Sequence, residues 1–292
     1  MKKAKLLAVT AILMMIAIAE YFALFALPCP KFISDIFPSL ELQRAAVALY
    51  TPVANWDSRR DELIASGVNV GILIEGKKRI FLLSAEKAMA KNLDETTRRH
   101  LRLTFSRGNA YLGVKSMEVP LEYRVWRFED DPETKWALME ITDAVDVLRK
   151  RGAEVKYVDL DSEIAGWYNF TELGIGCDAE IFTIVATGDS ERVLNPFTKV
   201  YSSPYAVKRG NLITLLGADE NGAKYHEADL SIDEGALGAG VFTFAKKGDK
   251  RYPVMIGIIA KKVGDRTWIL PIERVRSKIL LTPLAKDEEN LI

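Results

Sequence analysis

The stretch DLSIDEGALGAGVF, residues 229–242, decides the fold. It holds three glycines, and the run Val241-Phe242-Thr243-Phe244 at its end has the composition of a β-strand. A glycine-rich loop that binds a dinucleotide needs a strand before it and a long helix after it. Because a strand follows this loop, we do not expect a nucleotide site. A glycine-rich turn between two strands has another use, since its backbone N–H groups can form an oxyanion hole.

Strand-like segments surround this loop on both sides. Val68–Leu83 is predicted to form two strands joined by a charged turn that contains Gly76. Further strands are predicted at Val119–Phe128, Trp136–Ile141, Glu154–Asp159, Glu180–Ala186, Asn211–Leu216, Gly240–Phe244, Val254–Ala260 and Thr267–Leu270. Helical patterns cover Leu40–Tyr50, about Ala85–Leu101, and Asp143–Arg151, which stops at Gly152. Many short strands without regular βαβ alternation predict an all-β barrel or sandwich.

Composition excludes several classes of function. The 292 residues are 49% hydrophobic, and 40 Lys and Arg balance 40 Asp and Glu, which argues against nucleic-acid binding. Cys29 and Cys177 are too few for a disulfide framework and lack zinc-site spacing; Cys177 is expected to be a reduced, partly buried thiol. His100 and His226 form no metal motif, and both are expected at the surface. The sequence therefore predicts neither a metal site nor a cofactor.

The amino terminus joins a basic start to a long apolar run. Lys2, Lys3 and Lys5 precede the run Leu6–Pro28, which is long enough to span the hydrocarbon core of a bilayer as a helix. An uncleaved signal-anchor fits the full length, with the basic residues in the cytoplasm. The C-terminal body would then lie on the periplasmic or extracellular side of the membrane. Two alternatives remain open: a signal peptide cleaved after residues 17–19, and a buried core helix.

The glycine-rich stretch resembles the nucleophile segment of trypsin-like serine proteases of the HtrA kind. That segment runs Asp-Ala-x-Ile-Asn-Pro-Gly-Asn-Ser-Gly-Gly-Pro-Leu/Val-Phe. Downstream, Val254–Ile259 is similar to the family's Val-Ile-Gly-Ile strand, and Thr267–Val275 is similar to its Gly-Phe-Ala-Ile-Pro-Ile-x-x-Val ending. The resemblance implies a fold of two six-stranded antiparallel β-barrels, here with an N-terminal transmembrane helix and a few short helices.

The resemblance extends upstream to the other two catalytic segments. Leu82–Glu86 is similar to Leu-Thr-Ala-Ala-His, which carries the catalytic histidine, and Asp131–Ile141 is similar to Asp-x-x-x-Asp-Leu-Ala-Leu-Leu-Lys-Ile, which carries the aspartate. On this alignment the histidine falls on Glu86, the aspartate on Lys135 and the serine on Leu237. A triad needs a nucleophile, a base and a carboxylate that orients the base. These three residue types cannot supply those roles.

The loop itself also departs from the family pattern. Its former oxyanion positions are Gly235, Ala236 and Leu237, and no Ser, Thr or Cys lies between Asp233 and Gly240. A shift of the alignment by one or two residues therefore does not restore a nucleophile. The resemblance implies a protease fold that has lost its chemistry, or pseudoprotease.

These observations divide the chain and give three hypotheses of function. Residues 1–28 are the signal-anchor, 29–66 a juxtamembrane segment with a short helix, 67–284 the double barrel, and 285–292 a charged tail. The first hypothesis is a membrane-anchored, inactive protein that binds, scaffolds or regulates a protein partner, a membrane complex or a second copy of itself. The second is an active serine-type endopeptidase that uses other residues, such as Ser84, Ser231, His226 or Asp229. The third is an unrelated β-sandwich for assembly or adhesion.

Overall fold

The fold is given by a computed structural model. It describes residues 42, 45–52, 61–86, 102–107, 115–119, 125–131, 134–150, 155–166, 168–186, 205–218, 222, 224–248 and 250–281. All of them belong to the unit Glu41–Ile292. The predicted signal-anchor, Cys29, His100, most of the helix predicted over Ala85–Leu101 and the charged tail lie outside the described residues. Among those residues, the search for a helix long and apolar enough to cross a membrane finds none.

The first half of the described chain forms an eight-stranded sheet. Its strands are β1 (Ala46–Pro52), β2 (Asp61–Ile74), β3 (Lys77–Ala85), β4 (Arg102–Arg107), β5 (Lys115–Val119), β6 (Val125–Asp131), β7 (Thr134–Glu140) and β8 (Val158–Asp159). Seven of them follow the order β5-β4-β1-β2-β3-β7-β6 and pair antiparallel, while β8 pairs in parallel with β2. Helix α1 (Thr142–Lys150) follows β7 directly.

The second half forms a closed antiparallel barrel. Its six strands are β9 (Glu180–Ala186), β10 (Tyr205–Ala218), β11 (Lys224–Ala228), β12 (Gly240–Lys247), β13 (Lys250–Val263) and β14 (Arg266–Pro271), in the order β10-β11-β14-β13-β12-β9. A 3-10 turn, Glu234–Ala236, lies in the connection between β11 and β12. Helix α2 (Ile272–Leu281) follows β14. The described pairings thus close one of the two barrels expected from the sequence.

Alternation along the barrel strands places the barrel against the sheet. Ile181, Val241 and Ile269 belong to one apolar cluster, which contains side chains from every barrel strand. Their sequence neighbours Phe182, Phe242 and Leu270 belong to a second cluster, shared with Phe81 and Trp136 of the sheet and with α2. Successive side chains of a strand point to opposite faces. Strands β9, β12 and β14 are therefore buried on both faces, between the barrel interior and the sheet.

Several predicted elements are confirmed. The hairpin predicted over Val68–Leu83 is β2–β3, with Glu75 and Gly76 at its turn, and the strand Glu180–Ala186 matches β9. The helix predicted at Asp143–Arg151 is α1, displaced by one residue.

Other predicted elements are wrong or incomplete. The helix predicted over Leu40–Tyr50 is wrong in its second half, because Ala46–Pro52 form β1 and pair with β2 and β4. Both β1 and the start of β2 lie within residues 29–66, the predicted juxtamembrane segment. Of the strand predicted at Glu154–Asp159, only Val158 and Asp159 form a strand among the described residues, and residues 155–157 lie outside it. Cys177 is a free thiol, but it is exposed rather than partly buried, since it lies on a turn ahead of β9.

Candidate functional site

The glycine-rich loop between β11 and β12 is held by its own backbone. The N–H of Ala236 donates to the carbonyl of Asp233 at 3.0 Å, and the N–H of Ala239 donates to the carbonyl of Ala236 at 3.0 Å. The N–H of Gly238 donates to the carbonyl of Ile259 on β13 at 2.9 Å. Gly238 has φ of +83°, a conformation that favours glycine. The loop therefore has a defined shape and is anchored to the barrel.

The loop also lies directly against the end of β3. A Cβ atom on Gly238 would lie 2.4 Å from the backbone N of Ala85, 2.6 Å from Oγ of Ser84 and 2.7 Å from the carbonyl O of Ser66. No side chain fits at that distance, so only glycine permits the approach. The fold thus brings Gly238, the residue after the former nucleophile position, next to Ala85, the residue before Glu86.

Buried serines connect this loop to the sheet. The Oγ of Ser66 donates to the carbonyl of Gly235 at 2.8 Å and accepts from the N–H of Ala186 at 2.9 Å. The N–H of Ser66 donates to the carbonyl of Leu237 at 3.3 Å, and its own carbonyl accepts from Oγ of Ser84 at 2.7 Å. We call these four hydrogen bonds the Ser66 network. Ser66 is 1% exposed, so none of its polar groups could turn to water instead.

Strand β7, which carries Lys135 at the former aspartate position, pairs with the end of β3. Ala85, the last residue of β3, is paired with Trp136, so Glu86 and Lys135 are each adjacent in sequence to this pair. On its other side Lys135 is paired with Glu129 of β6. Lys135 is exposed and Glu86 is half-buried. The backbone therefore gathers Glu86, Lys135 and Leu237 around one corner of the sheet, while contact between the Glu86 carboxylate and the Lys135 ammonium stays a prediction.

The backbone of residues 235–238 is hydrogen-bonded at alternate peptide groups. In trypsin-like proteases the donors are the N–H of the nucleophile and the N–H two residues earlier, here Leu237 and Gly235. The 3-10 turn Glu234–Ala236 lies directly before Leu237. The N–H groups of Ala236 and Gly238 already have acceptors within the protein. Leu237 itself is half-buried and packs on the apolar cluster of the barrel.

The residues proposed for an alternative catalytic site are not joined by hydrogen bonds in the part of the chain that the structure describes. Ser84 is fully buried and donates to Ser66. The carboxylate of Asp229 accepts from the N–H of Asn211. Ser231 is exposed. A nucleophile must be within hydrogen-bond reach of its base, and this set does not show that geometry.

His226 is not at the surface, contrary to expectation. It is 0% exposed on β11, its Nδ1 accepts from the N–H of Leu216 at 3.4 Å, and its ring lies 5.4 Å from that of Phe170. Its Nε2 has no hydrogen-bond partner among the described residues. Burial lowers the pKa of His226 to about 4, so the ring is neutral at neutral pH. The burial of His226 was not predicted, because the run Lys224–Ala228 contains no β-branched residue and was not predicted as a strand.

Within the described ranges, no cluster of three or more His, Cys, Asp or Glu side chains is placed to hold a metal ion.

Comparison with known proteins bears on the fold. A solved structure, described as the crystal structure of Deg5, matches this chain with a TM-score of 0.50 and 14% sequence identity. The match covers 85% of this chain and 92% of that chain. It supports a trypsin-like fold of the HtrA kind. At this identity the likeness concerns the fold alone. No protein-family model matches the sequence, and a search of curated proteins finds no relative.

Proposed function

We propose that this chain is a membrane-anchored, catalytically silent protein of trypsin-like fold that binds and regulates a protein partner. The observation that carries the proposal is the loop around Leu237. Its apex residue has no heteroatom in its side chain, and the adjoining peptide groups are bound within the protein. Nucleophilic catalysis needs an activated nucleophile and, for acyl transfer, donors that face the developing oxyanion.

Two peptide planes of the loop are held within the protein, whichever residue stands at its apex. In a trans peptide the C=O of one residue and the N–H of the next point in opposite directions. The plane between Gly235 and Ala236 is held at both ends, by Ser66 and by Asp233. The plane between Leu237 and Gly238 is likewise held, by Ser66 and Ile259. These bonds fix the loop on both sides of Leu237, and the N–H groups of Gly235 and Leu237 belong to the neighbouring peptide planes.

The proposal also survives a one-residue change in the alignment of β3. Ser84 is a buried hydroxyl donor, which is the role a threonine in Leu-Thr-Ala-Ala-His could fill. If Ser84 takes that threonine position, the histidine falls on Lys87 instead of Glu86. Neither residue carries an imidazole, so the histidine base of the triad is absent in both alignments. Lys87 lies outside the described residues.

A fluorophosphonate probe tests the silent state. Such probes label an activated serine covalently, so we expect no labelling of the full-length chain purified in detergent, with active trypsin as the positive control. Labelling that heat denaturation abolishes would overturn the proposal and favour an active endopeptidase. The labelled peptide would then identify the nucleophile.

Restoration of the triad residues provides the complementary test. The variant Glu86→His, Lys135→Asp, Leu237→Ser restores the residue types but leaves the loop bonds in place, so we expect at best feeble hydrolysis of a small ester. A matched variant with Lys87→His in place of Glu86→His tests the other alignment. Vigorous peptidase activity from either would show that the loop can form an oxyanion hole.

The membrane anchor rests on the sequence of the amino terminus. Lys2, Lys3 and Lys5 ahead of an apolar run support a topology with the terminus in the cytoplasm and the body outside it. Edman sequencing of the native protein decides between an anchor and a cleaved signal peptide, because a sequence that begins at Glu20 would exclude the anchor. Affinity purification from solubilised membranes, followed by mass spectrometry, would identify the partner or show a second copy of the chain.

The two alternative functions predict other structures. A sandwich requires two sheets packed face to face, whereas the second half of this chain is a closed six-stranded barrel. An active hydrolase would need Ser84 or Ser231 next to His226. The described contacts of those residues do not favour it.

A further inference from the structure

All the polar groups of Ser66 are used at one junction. Its N–H and its hydroxyl hold two alternate carbonyls of the loop, those of Leu237 and Gly235. The same hydroxyl accepts from Ala186, the last residue of β9, and the Ser66 carbonyl accepts from Ser84 of β3. One buried serine on β2 thus connects two strands of the sheet, one barrel strand and the loop. It stands 169 residues before Gly235 in sequence.

We propose that Ser66 is a positioning residue that holds the loop Gly235–Gly238 in its present conformation, in which the carbonyls of Gly235 and Leu237 face Ser66. The loop's shape is then imposed from the sheet rather than by the loop alone. The inference concerns the same loop as the proposed function but does not depend on silence. A hydrolase that used other residues would still have its loop held in this way.

The physical reason is the double hold on the loop. Buried carbonyls need a donor, and loss of one leaves an unsatisfied group in a site that water does not reach. Ser66 supplies a donor to two carbonyls that alternate with the internally bonded carbonyl of Ala236. Because the hydroxyl also accepts from Ala186, its proton is directed toward Gly235. The loop cannot turn its carbonyls outward while these bonds persist.

Amide hydrogen exchange of the full-length chain tests the proposal. In Ser66→Ala we expect the amides of Ala236, Gly238 and Ala239 to exchange about tenfold faster, the factor that corresponds to one buried hydrogen bond. Amides in the middle of β13, such as that of Ile256, are expected to change only as much as global stability changes.

Thr183→Val is the matched control. Thr183 is also buried, and its hydroxyl donates to the carbonyl of Gly240 at 2.7 Å, just beyond the loop. This variant deletes a comparable hydrogen bond without touching the Ser66 network, so the loop amides are expected to keep their protection relative to Ile256. Equal acceleration in both variants, or none in Ser66→Ala, would overturn the proposal.

A measurement on the unaltered chain keeps the proposal testable if Ser66→Ala does not fold. The N–H groups of Ser66 and Ala186 both belong to the Ser66 network. We expect them to exchange through the same opening as Ala236 and Gly238, with equal protection and equal denaturant dependence. Loop amides that open at least tenfold more often than the Ser66 amide would show that the loop moves without breaking the network, and would refute the inference.

Discussion

The barrel and the first sheet follow the same pattern of strand order, over six strands in the barrel and seven on the path of the sheet, but among the described residues only the barrel is closed. In the barrel, β9, β10 and β11 are neighbours, followed by β14, β13 and then β12, which returns to β9. In the sheet, β1, β2 and β3 are neighbours, followed by β7 and β6, and β4 lies on the other side of β1. The ends of the sheet are β5 and β6, and pairing of these two strands would close it in the same order.

Bends in the long strands distinguish the two regions. The described pairings of the barrel contain four register irregularities, two between β10 and β11 and one each between β12 and β13 and between β13 and β14. Those of the sheet contain two, between β1 and β2 and between β6 and β7. Bulges bend strands and increase their twist, and closure of a six-stranded sheet requires strongly bent strands. The additional irregularities of the barrel strands therefore agree with its closure.

The largest expected effect compares the substitution of a glycine in the barrel with that of a glycine in the sheet. In the barrel the new methyl group would meet backbone atoms, and in the sheet it would meet a side chain. A Cβ on Gly257 of β13 would lie 2.2 Å from the carbonyl O of Leu270, which is fixed in β14. A Cβ on Gly71 of β2 would meet the ring of Tyr157 at 2.5 Å. Tyr157 is half-buried and can rotate. We expect Gly257→Ala to lower the free energy of unfolding by more than about 3 kcal/mol and Gly71→Ala by about 1–2 kcal/mol.

Urea unfolding of both variants measures this difference. The slope of the unfolding free energy against urea concentration serves as the control for two-state behaviour. Equal losses in the two variants would mean that the barrel strands can separate as easily as a tyrosine ring can turn.

The second effect concerns His226, which lies inside the barrel. Its pKa is about 4 in the folded chain and about 6.5 when unfolded. The unfolded state therefore binds more protons between these values, and stability falls as the pH drops from about 6.5 to about 4. The loss approaches about 3 kcal/mol below that window, from 1.36 kcal/mol for each pH unit of difference.

His226→Gln removes this titration and is compared with the unaltered chain across the same pH range. The difference between the two free energies of unfolding isolates the histidine, because the carboxyl groups titrate in both proteins. We expect the unaltered chain to lose its advantage on acidification. A difference that stays constant from pH 7 to pH 4 would contradict a neutral, buried ring.

The sequence predicted local elements better than long-range ones. The β2–β3 hairpin and β9 were predictable because β-branched and apolar residues fill them. Strand β1 was missed since Ala45, Ala46 and Leu49 have helical spacing, and pairing with β2 and β4 prevails over that preference. Strand β11 was missed because Lys, Glu and Ala are poor strand formers. It is a strand because β10 and β14 flank it.

The candidate site shows the same limit. The positions of Glu86, Lys135 and Leu237 followed from short motifs, each local in sequence. Ser66 was not found, because its role depends on contacts with residues 120 and 169 positions away. The available signal was slight: Ser66-Gly67 is a small polar pair directly before an apolar strand. A serine in that context is usually interpreted as a strand boundary.

A smaller effect compares ion pairs of the two regions. In the sheet, Nε of Arg79 donates to Glu140 at 2.8 Å, and the two side chains are 23% and 19% exposed. The hydrogen bond to Glu140 raises the pKa of the Arg79 guanidinium. In the barrel, Arg209 and Glu180 form a pair at 2.8 Å with 44% and 40% exposure. We expect Glu140→Gln to cost about 1–2 kcal/mol and Glu180→Gln under about 0.5 kcal/mol.

Salt distinguishes these two pairs further. In 1 M NaCl the effect at Glu180 is expected to vanish, and that at Glu140 to persist in part, since partly buried charges are screened less. Chemical denaturation by urea at both salt concentrations measures this. A larger cost at Glu180 than at Glu140 would contradict the assignment of the stronger pair to the sheet.

The smallest effect concerns Glu86 and Lys135 at the corner where the sheet meets the loop. If the pair were buried, removal of one partner would lower the free energy of unfolding by about 3–5 kcal/mol. Because Lys135 is exposed, we expect a coupling under about 1 kcal/mol. A double-mutant cycle with Glu86→Gln and Lys135→Gln measures the coupling directly. The cycle of Lys135 with Glu129, its partner in the β6–β7 register, is the matched comparison. We expect both couplings to be favourable, at about 0.2–1 kcal/mol, and to shrink in high salt. A zero coupling to Glu86 together with a finite coupling to Glu129 would show that Lys135 interacts with β6 and not with Glu86. An experimental structure with the Glu86 carboxylate far beyond roughly 4 Å from the Lys135 ammonium would agree with that outcome.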